Sequence, residues 1–486
     1  MVILGHMLEQ LIEERRRKLD RLKAAGVDPY PVTAKRTITI GALRKDFAKL
    51  MRAKKNVAVA GRIASIRDQG GVIFLDIRDE SGQIQAVLLK KKLGNFKLLK
   101  DTLDGGDFVA VSGVPFKTKK GEQSIEAKAA GILSKSLRPL PSDWYGLGDV
   151  EARLRQRYLD LNLNPEVREM FRKKAVFWET FRQGMLDEGF LEVELPVLEE
   201  TPGGAEAEPF STHHNALDTD FYLRISLELP LKKLLVGGYE KVFEIGRIFR
   251  NEGISKEHLQ DYTQLEFYWA YQDYDGLMRF IEKLYKKVIK ATMGTMVTTR
   301  EGVKINWGKK WAKVDYVDYF KKTLKMDPLA ATREELFAKA RTLHLKPEKN
   351  SGKGRLIDLL FKTVRPNLVQ PCFLVDPPVE IEPLAKRSRR DPRRVERFQI
   401  MASGTELGKG FSELNDPLDQ RARFEEQMKL RATGDKEAQM LDEDFLEALE
   451  YGMPPAAGFG ISERLFAVLM DKSIRETIFF PLMKRK

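Results

Sequence analysis

Cysteine is all but missing from this sequence. Cys372 is the single one in 486 residues, so no disulfide can form within the chain. Histidine is scarce too. His6, His213, His214, His258 and His344 are scattered, and beside one thiol no structural zinc site is expected. A catalytic metal held by carboxylates stays open, and magnesium suits such ligands. No stretch approaches the roughly 18 uninterrupted apolar residues of a membrane span. The segment Met1 to Gln10 has neither a long apolar core nor a small-residue cleavage site, so no secretory leader is expected. Repeats and low-complexity segments are also lacking.

What is present points to a large globular protein. The length allows two or three domains, and 42% hydrophobic with 32% charged residues suits a folded, water-facing chain. The formal net charge is +13, which favours a polyanionic partner such as nucleic acid, or else marks a solvated basic surface. The basic runs Arg15 to Lys18 and Lys386 to Arg394 read as solvated faces.

Leu8, Leu11, Leu19 and Leu22 fall at helical spacings, so residues 8–26 read as an exposed amphipathic helix stopped by Gly26 and Pro29. Between residues 56 and 135 the pattern changes. About five short alternating runs, from Val57 to Ala127, are separated by turn signals such as Glu80-Ser81-Gly82 and Lys119-Lys120-Gly121. This predicts a small β-barrel, either an oligonucleotide-binding OB-fold or a generic β-domain. Leu137-Arg138-Pro139-Leu140-Pro141 then opposes helix and sheet and reads as a spacer.

The rest mixes helices and strands. Val176, Phe177, Phe181 and Met185 mark one helical face. Two alternating segments stand out. In Tyr222 to Glu228 the residues Arg224, Ser226 and Glu228 share one side of an expected strand. In Gln264 to Ala270 Glu266 and Tyr268 do the same. A solvated polar face is the other meaning of such alternation. Between them a third expected strand ends in a charged loop at Arg250, with His258 and Tyr262 beyond it.

Phe249-Arg250-Asn251-Glu252-Gly253 is similar to motif 2 of the class II aminoacyl-tRNA synthetases. Gly189 to Pro196 resembles motif 1, and Gly458-Phe-Gly-Ile-Ser-Glu-Arg464 resembles motif 3, in that order along the chain. Longer phrases resemble the bacterial-type lysyl enzymes: Thr212 to Leu217, Val236 to Phe243, Pro383 to Lys386, Ser412 to Pro417, Ala448 to Gly452, Ser136 to Pro141 and Arg155 to Asp160. The likeness covers nearly the whole chain. It implies an α+β protein: a helical segment at 1–55, an OB-fold anticodon-binding barrel at 56–136, a linker at 137–150, and a catalytic domain at 151–486 built on an antiparallel sheet flanked by helices. Motif 1 would lie at about 170–196, motif 2 at 240–271 and motif 3 at 458–482.

The resemblance also implies a chemistry, in which ATP activates L-lysine and lysine passes to the 3′ end of its tRNA. Arg250 would face the α-phosphate, where a fixed cation stabilises developing charge. Glu252 would accept from the adenine amine, Tyr262 would stack on adenine with Arg464 opposite, and His258 and Arg464 would hold the γ-phosphate. Glu406 and Glu413 resemble the Mg²⁺-binding pair, brought together by a bend at Gly408-Lys409-Gly410. Glu228, with backbone near Gly204, would take the lysine α-amine. Glu266 and Tyr268 would take the ε-ammonium, with Asn415 contributing. Buried cations need such close anions. Phe74 and Gln85 resemble anticodon contacts. A homodimer in the cytoplasm, without a membrane partner, is implied.

Three departures stand out. Motif 3 has Ser462 near its third glycine position and is one residue short. Glu206-Ala207-Glu208 replaces a pattern in which a base is common before Pro209. Ala129 stands where the fifth barrel strand often carries a glutamate that contacts the anticodon. An aspartyl or asparaginyl enzyme and a non-catalytic RNA-binding paralogue remain as alternatives.

Overall fold

The computed structural model describes residues 2–141, 148–253, 258–435 and 437–484, with only the backbone for residues 2–5. The chain forms two compact units, Met1–Gly148 and Asp149–Lys486. Residues 142–147 of the expected linker and 254–257 of the expected motif 2 loop lie outside the described residues.

The first unit opens with the helix Val2–Ala24, which begins earlier than the leucine spacing suggests. It is more than a solvated amphipath. Leu22 joins the barrel core, and the buried Arg15 guanidinium donates to the carbonyls of Gly105 (3.0 Å), Ser136 (2.9 Å) and Arg138 (3.2 Å). Five strands follow: β1 (Val57–Asp68), β2 (Val72–Asp79), β3 (Gly82–Leu89), β4 (Phe108–Lys117) and β5 (Gln123–Ser134). They close a barrel in the order β1-β2-β3-β5-β4. Closure removes sheet edges, and alternation sorts the side chains. Ile73, Leu75, Ile77, Ala86 and Leu88 fill the inside, while Phe74 and Gln85 lie on the outer face with Arg67 and Asp76.

The second unit holds an eight-stranded sheet. In chain order the strands are β6 (Leu191–Glu192), then β7 (Leu198–Glu199), β8 (Ser211–His214) and β9 (Thr219–Leu223) in a small sheet of their own, then β10 (Lys241–Phe249), β11 (Asp261–Ala270), a hairpin of β12 (Val297–Arg300) and β13 (Val303–Asn306), then β14 (Ala312–Asp315), β15 (Cys372–Val375), β16 (Arg397–Ala402), β17 (Thr405–Ser412) and β18 (Ala456–Ser462). The main sheet runs β14-β15-β16-β17-β18-β11-β10-β6. Its joints are antiparallel except at the two edges, where β14 with β15 and β6 with β10 pair in parallel. The helices Pro165–Asp187 and Tyr274–Met293 cover one face. There Phe177, Phe181 and Met185 are fully buried with Ile281 and Tyr285; Val176 is exposed instead, so it does not belong to that apolar stripe.

The expected strand Tyr222 to Glu228 is corrected. β9 ends at Leu223, a short connection follows, and the helix Glu228–Val236 begins at the glutamate. Alternation over seven residues failed here because Glu228 and Lys232 sit at i and i+4, a helical spacing. β11, in contrast, alternates as expected.

Candidate active site

Four side chains of β11 point from one face of the sheet: Tyr262, Gln264, Glu266 and Tyr268. A strand rises about 3.3 Å per residue, so they mark a line about 20 Å long. Across the sheet Glu266 pairs with Gly460 of β18, and Gly460 in turn with Lys409 of β17; Tyr268 pairs with Gly458, and Gly458 with Phe411. These rows floor a cavity of about 620 Å³, roofed by the loop Gly204–Glu206 and by segments near Arg355 and Arg423. The glycines of β18 keep the floor open. A Cβ at Gly458 would stand 2.3 Å from Tyr268 Cε1 and 2.4 Å from Glu413 Oε1.

At one end of the line the floor is acidic. Glu266 is 3% exposed. Its Oε1 accepts from Ser226 Oγ (2.8 Å), Leu227 N (3.0 Å) and Gln264 Nε2 (2.7 Å), and its Oε2 accepts from Tyr268 OH (3.2 Å). Among the described residues Glu266 forms no ion pair. Glu228 lies under Gly204, which takes φ +81° and whose Cβ would stand 2.8 Å from that of Glu228. The fully buried Lys232 donates to Glu228 at 2.6 Å and forms an ion pair with Glu413. Two carboxylates thus share one ammonium. Burial pushes Glu228 and Glu413 above the ordinary carboxylate range, with Lys232 opposing. Tyr268 is likewise pushed up by burial and by the neighbouring acids, so it stays a hydrogen-bond donor.

At the other end the cavity is cationic and aromatic. Arg250 follows β10, donates from Nε to Ile225 O at 3.2 Å, and lies 5.8 Å from the centre of the Tyr262 ring. Arg464 starts the helix Arg464–Leu469, one residue after β18, and donates to Glu406 O at 3.2 Å. Its buried Nε has no hydrogen-bond partner among the described residues. The residue lines the cavity wall, where its guanidinium is a fixed positive charge for an anionic ligand.

The comparisons with known proteins agree. The family profile "tRNA synthetases class II (D, K and N)" matches residues 149–484, and "OB-fold nucleic acid binding domain" matches 57–133. The chain is similar to the lysine–tRNA ligase of Moorella thermoacetica (46% identity over 481 residues, 98% of each chain). It is also similar to that of Roseiflexus castenholzii (46% over 484 residues, 98% of this chain and 99% of the relative) and that of Thermotoga maritima (43% over 488 residues, 99% and 97%). The chain belongs to the class II tRNA synthetases of the D, K and N group.

Within this class II synthetase the cavity gathers Gly204, Glu228, Arg250, Tyr262, Glu266, Tyr268, Glu406 and Arg464. Other expected residues stand outside its wall. Glu413 is buried behind Gly458 against Lys232. Gly408 and Gly410 do not form the expected bend: they lie inside β17, where the irregularity is a register shift that skips Leu407. Glu406 lines the cavity, accepting from Gln399 Nε2 at 2.5 Å, whereas Glu413 does not line it. Asn415 accepts from Lys386 Nζ at 2.6 Å and donates to Met453 O at 3.0 Å. Glu252 and His258 flank the undescribed 254–257 and do not line the cavity.

The short motif 3 loses no cation, because β18 runs to Ser462, one residue turns the chain, and the helix starts at Arg464. The Glu206-Ala207-Glu208 departure has a partner as well. Glu206 pairs with Arg355 (3.3 Å), which also holds Asp435 and Glu437, and Glu208 O accepts from Asn251 N at 2.7 Å. The sequence reading missed Lys232, Arg355 and Gln264. The helical spacing from Glu228 signals Lys232, and the β11 alternation signals Gln264.

Proposed function

We propose that this chain is a lysine–tRNA ligase. One observation carries the reading: Glu266 is a buried carboxylate on a cavity floor, held by four neutral donors and supplied with no cation by the described protein. A buried anion without a counter-charge is costly, and the ε-ammonium of L-lysine would complete it. An aspartate side chain there would be repelled. Glu228, beside the Gly204 backbone, would take the α-amine.

ATP would bind toward the cationic end, with adenine against Tyr262 and with Arg250 and Arg464 on the phosphates; Glu252 and His258, at the two sides of the motif 2 loop, would join from there. A lysine carboxylate oxygen attacks the α-phosphorus in line and pyrophosphate leaves; a ribose hydroxyl of the tRNA 3′ end then attacks the acyl carbon and AMP leaves. Alignment and fixed charge supply the rate. Mg²⁺ would be held at the cavity by Glu406 with the phosphates, where it offsets their charge. Glu413, in contact with Lys232, would shape that site from behind, and Asn415 would support it at the end of β17. Phe74 and Gln85 on the barrel would read the anticodon. We place the enzyme in the cytoplasm as a homodimer through motif 1. No described helix is long and apolar enough to cross a membrane.

The test is ATP–pyrophosphate exchange with each of the twenty amino acids, with and without a chelator. Exchange with lysine alone, lost on chelation, is the expected result. Exchange with aspartate or asparagine, or none with any amino acid, would reject the reading.

A further inference from the structure

Gln264 shares the cavity face of β11 with Tyr262, Glu266 and Tyr268, and the reaction above gives it no part. Its Nε2 donates to Glu266 Oε1 at 2.7 Å. Side chains two residues apart on one strand face start about 7 Å apart, so the amide must lie along the strand to reach the carboxylate. Gly460 makes the space. It is the cross-strand partner of Glu266, and a Cβ there would stand 3.3 Å from Gln264 Nε2 and 3.5 Å from Glu266 Cγ.

The three donors on Oε1 differ in origin. Ser226 Oγ and Leu227 N come from the connection before the helix Glu228–Val236; Gln264 alone comes from the same strand as Glu266. Together they occupy Oε1, while Oε2 has only Tyr268 OH. The accepting capacity left for a ligand is therefore on Oε2.

We infer that Gln264 is a positioning residue for the amino-acid substrate, fixing the Glu266 carboxylate so that Oε2 meets the side-chain ammonium. This rests on the proposed role of Glu266. Gln264 touches the group that would bind substrate and acts through it.

The experiment is a double-mutant cycle read by lysine-dependent pyrophosphate exchange. Gln264→Met keeps the length and removes the donor; Gln264→Leu does so with less bulk should methionine crowd Ser462. Losing a hydrogen bond to a charged group should raise KM for lysine about tenfold, with kcat and KM for ATP within about twofold. Inhibition by norleucine, which keeps the α-amine but lacks the side-chain ammonium, should stay unchanged. In the Glu266→Gln background the same substitution should add nothing. If Glu266→Gln itself leaves KM for lysine unaltered, the reading of Glu266 fails. If Glu266→Gln weakens lysine but the Gln264 variants do not, or weaken it equally in both backgrounds, or weaken norleucine alike, the inference about Gln264 alone is overturned.

Discussion

The carboxylates of the barrel unit and those around the cavity differ in one respect. In the barrel they have cations or N–H donors to spare. Burial works against the ionised form of Asp104, yet Lys135 and Lys18 hold it below the usual range. Asp79 is held down, against burial, by the Ile40 N–H and by Ser81, and Asp68 by Lys100. Around the cavity Glu206, Glu228 and Glu413 are pushed up by burial, each opposed by a cation that does not suffice. Where the second unit does supply enough positive charge, as Lys409 and Arg397 do for Glu382, burial loses and the group is held down. The barrel acids named above are thus satisfied within the fold, whereas around Glu228 and Glu266 three carboxyl groups, Glu413 included, gather about one ammonium, that of Lys232. A ligand with two ammonium groups is the complement.

If that contrast is functional, Glu266 should be its most sensitive point. Glu266→Gln removes the anion while Ser226 Oγ and Leu227 N still donate to the position. Leaving a ligand cation buried without its partner costs roughly 3–5 kcal/mol, so lysine affinity should fall by more than a hundredfold while ATP binding stays near wild type. Equilibrium binding of each ligand checks this; equal losses for both would make Glu266 a support of the fold. Arg250→Ala comes next. One preorganised charge contact in the transition state is worth about 3–4 kcal/mol, so pyrophosphate exchange should fall about a hundred- to a thousandfold in a folded protein. Normal exchange would remove Arg250 from the phosphate site.

The two units were also unequally legible in the sequence. The barrel's alternation and turns placed its strands, because each inner residue packs locally against its neighbours. β11 was legible for the same reason. Tyr222 to Glu228 was not, since seven alternating residues fit a strand and a strand-to-helix junction equally well, and Lys232 was lost with that error. The resemblance named Glu406 and Glu413 together; the register shift at Leu407 comes from the pairing of β16 with β17, and the ion pair of Glu413 comes from Lys232 on the helix Glu228–Val236, and no local pattern encodes either. Gln264 was visible in the alternation and lacked only a reason.

The contrast extends to stability. Glu199 on β7 is pushed up to about 8 by burial, against the attraction of Arg224, and its Oε2 has no hydrogen-bond partner among the described residues. A carboxyl whose folded pKa is raised stabilises the fold fully below its unfolded value of 4.5, and that contribution is lost as pH rises toward about 8. Glu199→Gln stays neutral throughout. The variant should therefore gain on wild type between about pH 5 and pH 9, by about 2 kcal/mol at the alkaline end once partial exposure is discounted. Thermal melts of both proteins across that range decide it, and a constant difference would show that Glu199 finds water or a cation.

The smallest effect belongs to the barrel, and it tests whether a satisfied surface can still discriminate. Ala129 is exposed on β5, beyond a register shift at Lys128, opposite Ser112. It cannot accept a hydrogen bond through its side chain. Glu126, the nearest acid on that strand, already takes Lys92 Nζ at 2.5 Å, so it would have to leave a cation to serve a base. A hydrogen bond between a base and a charged acceptor is worth about 1.5 kcal/mol at the low end, which suits this solvated face and amounts to about tenfold in discrimination. Wild type should therefore tolerate a change at one anticodon position, and Ala129→Glu should sharpen selection there about tenfold while leaving pyrophosphate exchange untouched. The measurement is lysylation of tRNA transcripts varied at each anticodon base, for both proteins. If wild type already rejects every variant strongly and the added glutamate changes nothing, the outer face reads its partner without this position, and Phe74, Gln85 and Glu126 are where discrimination should next be sought.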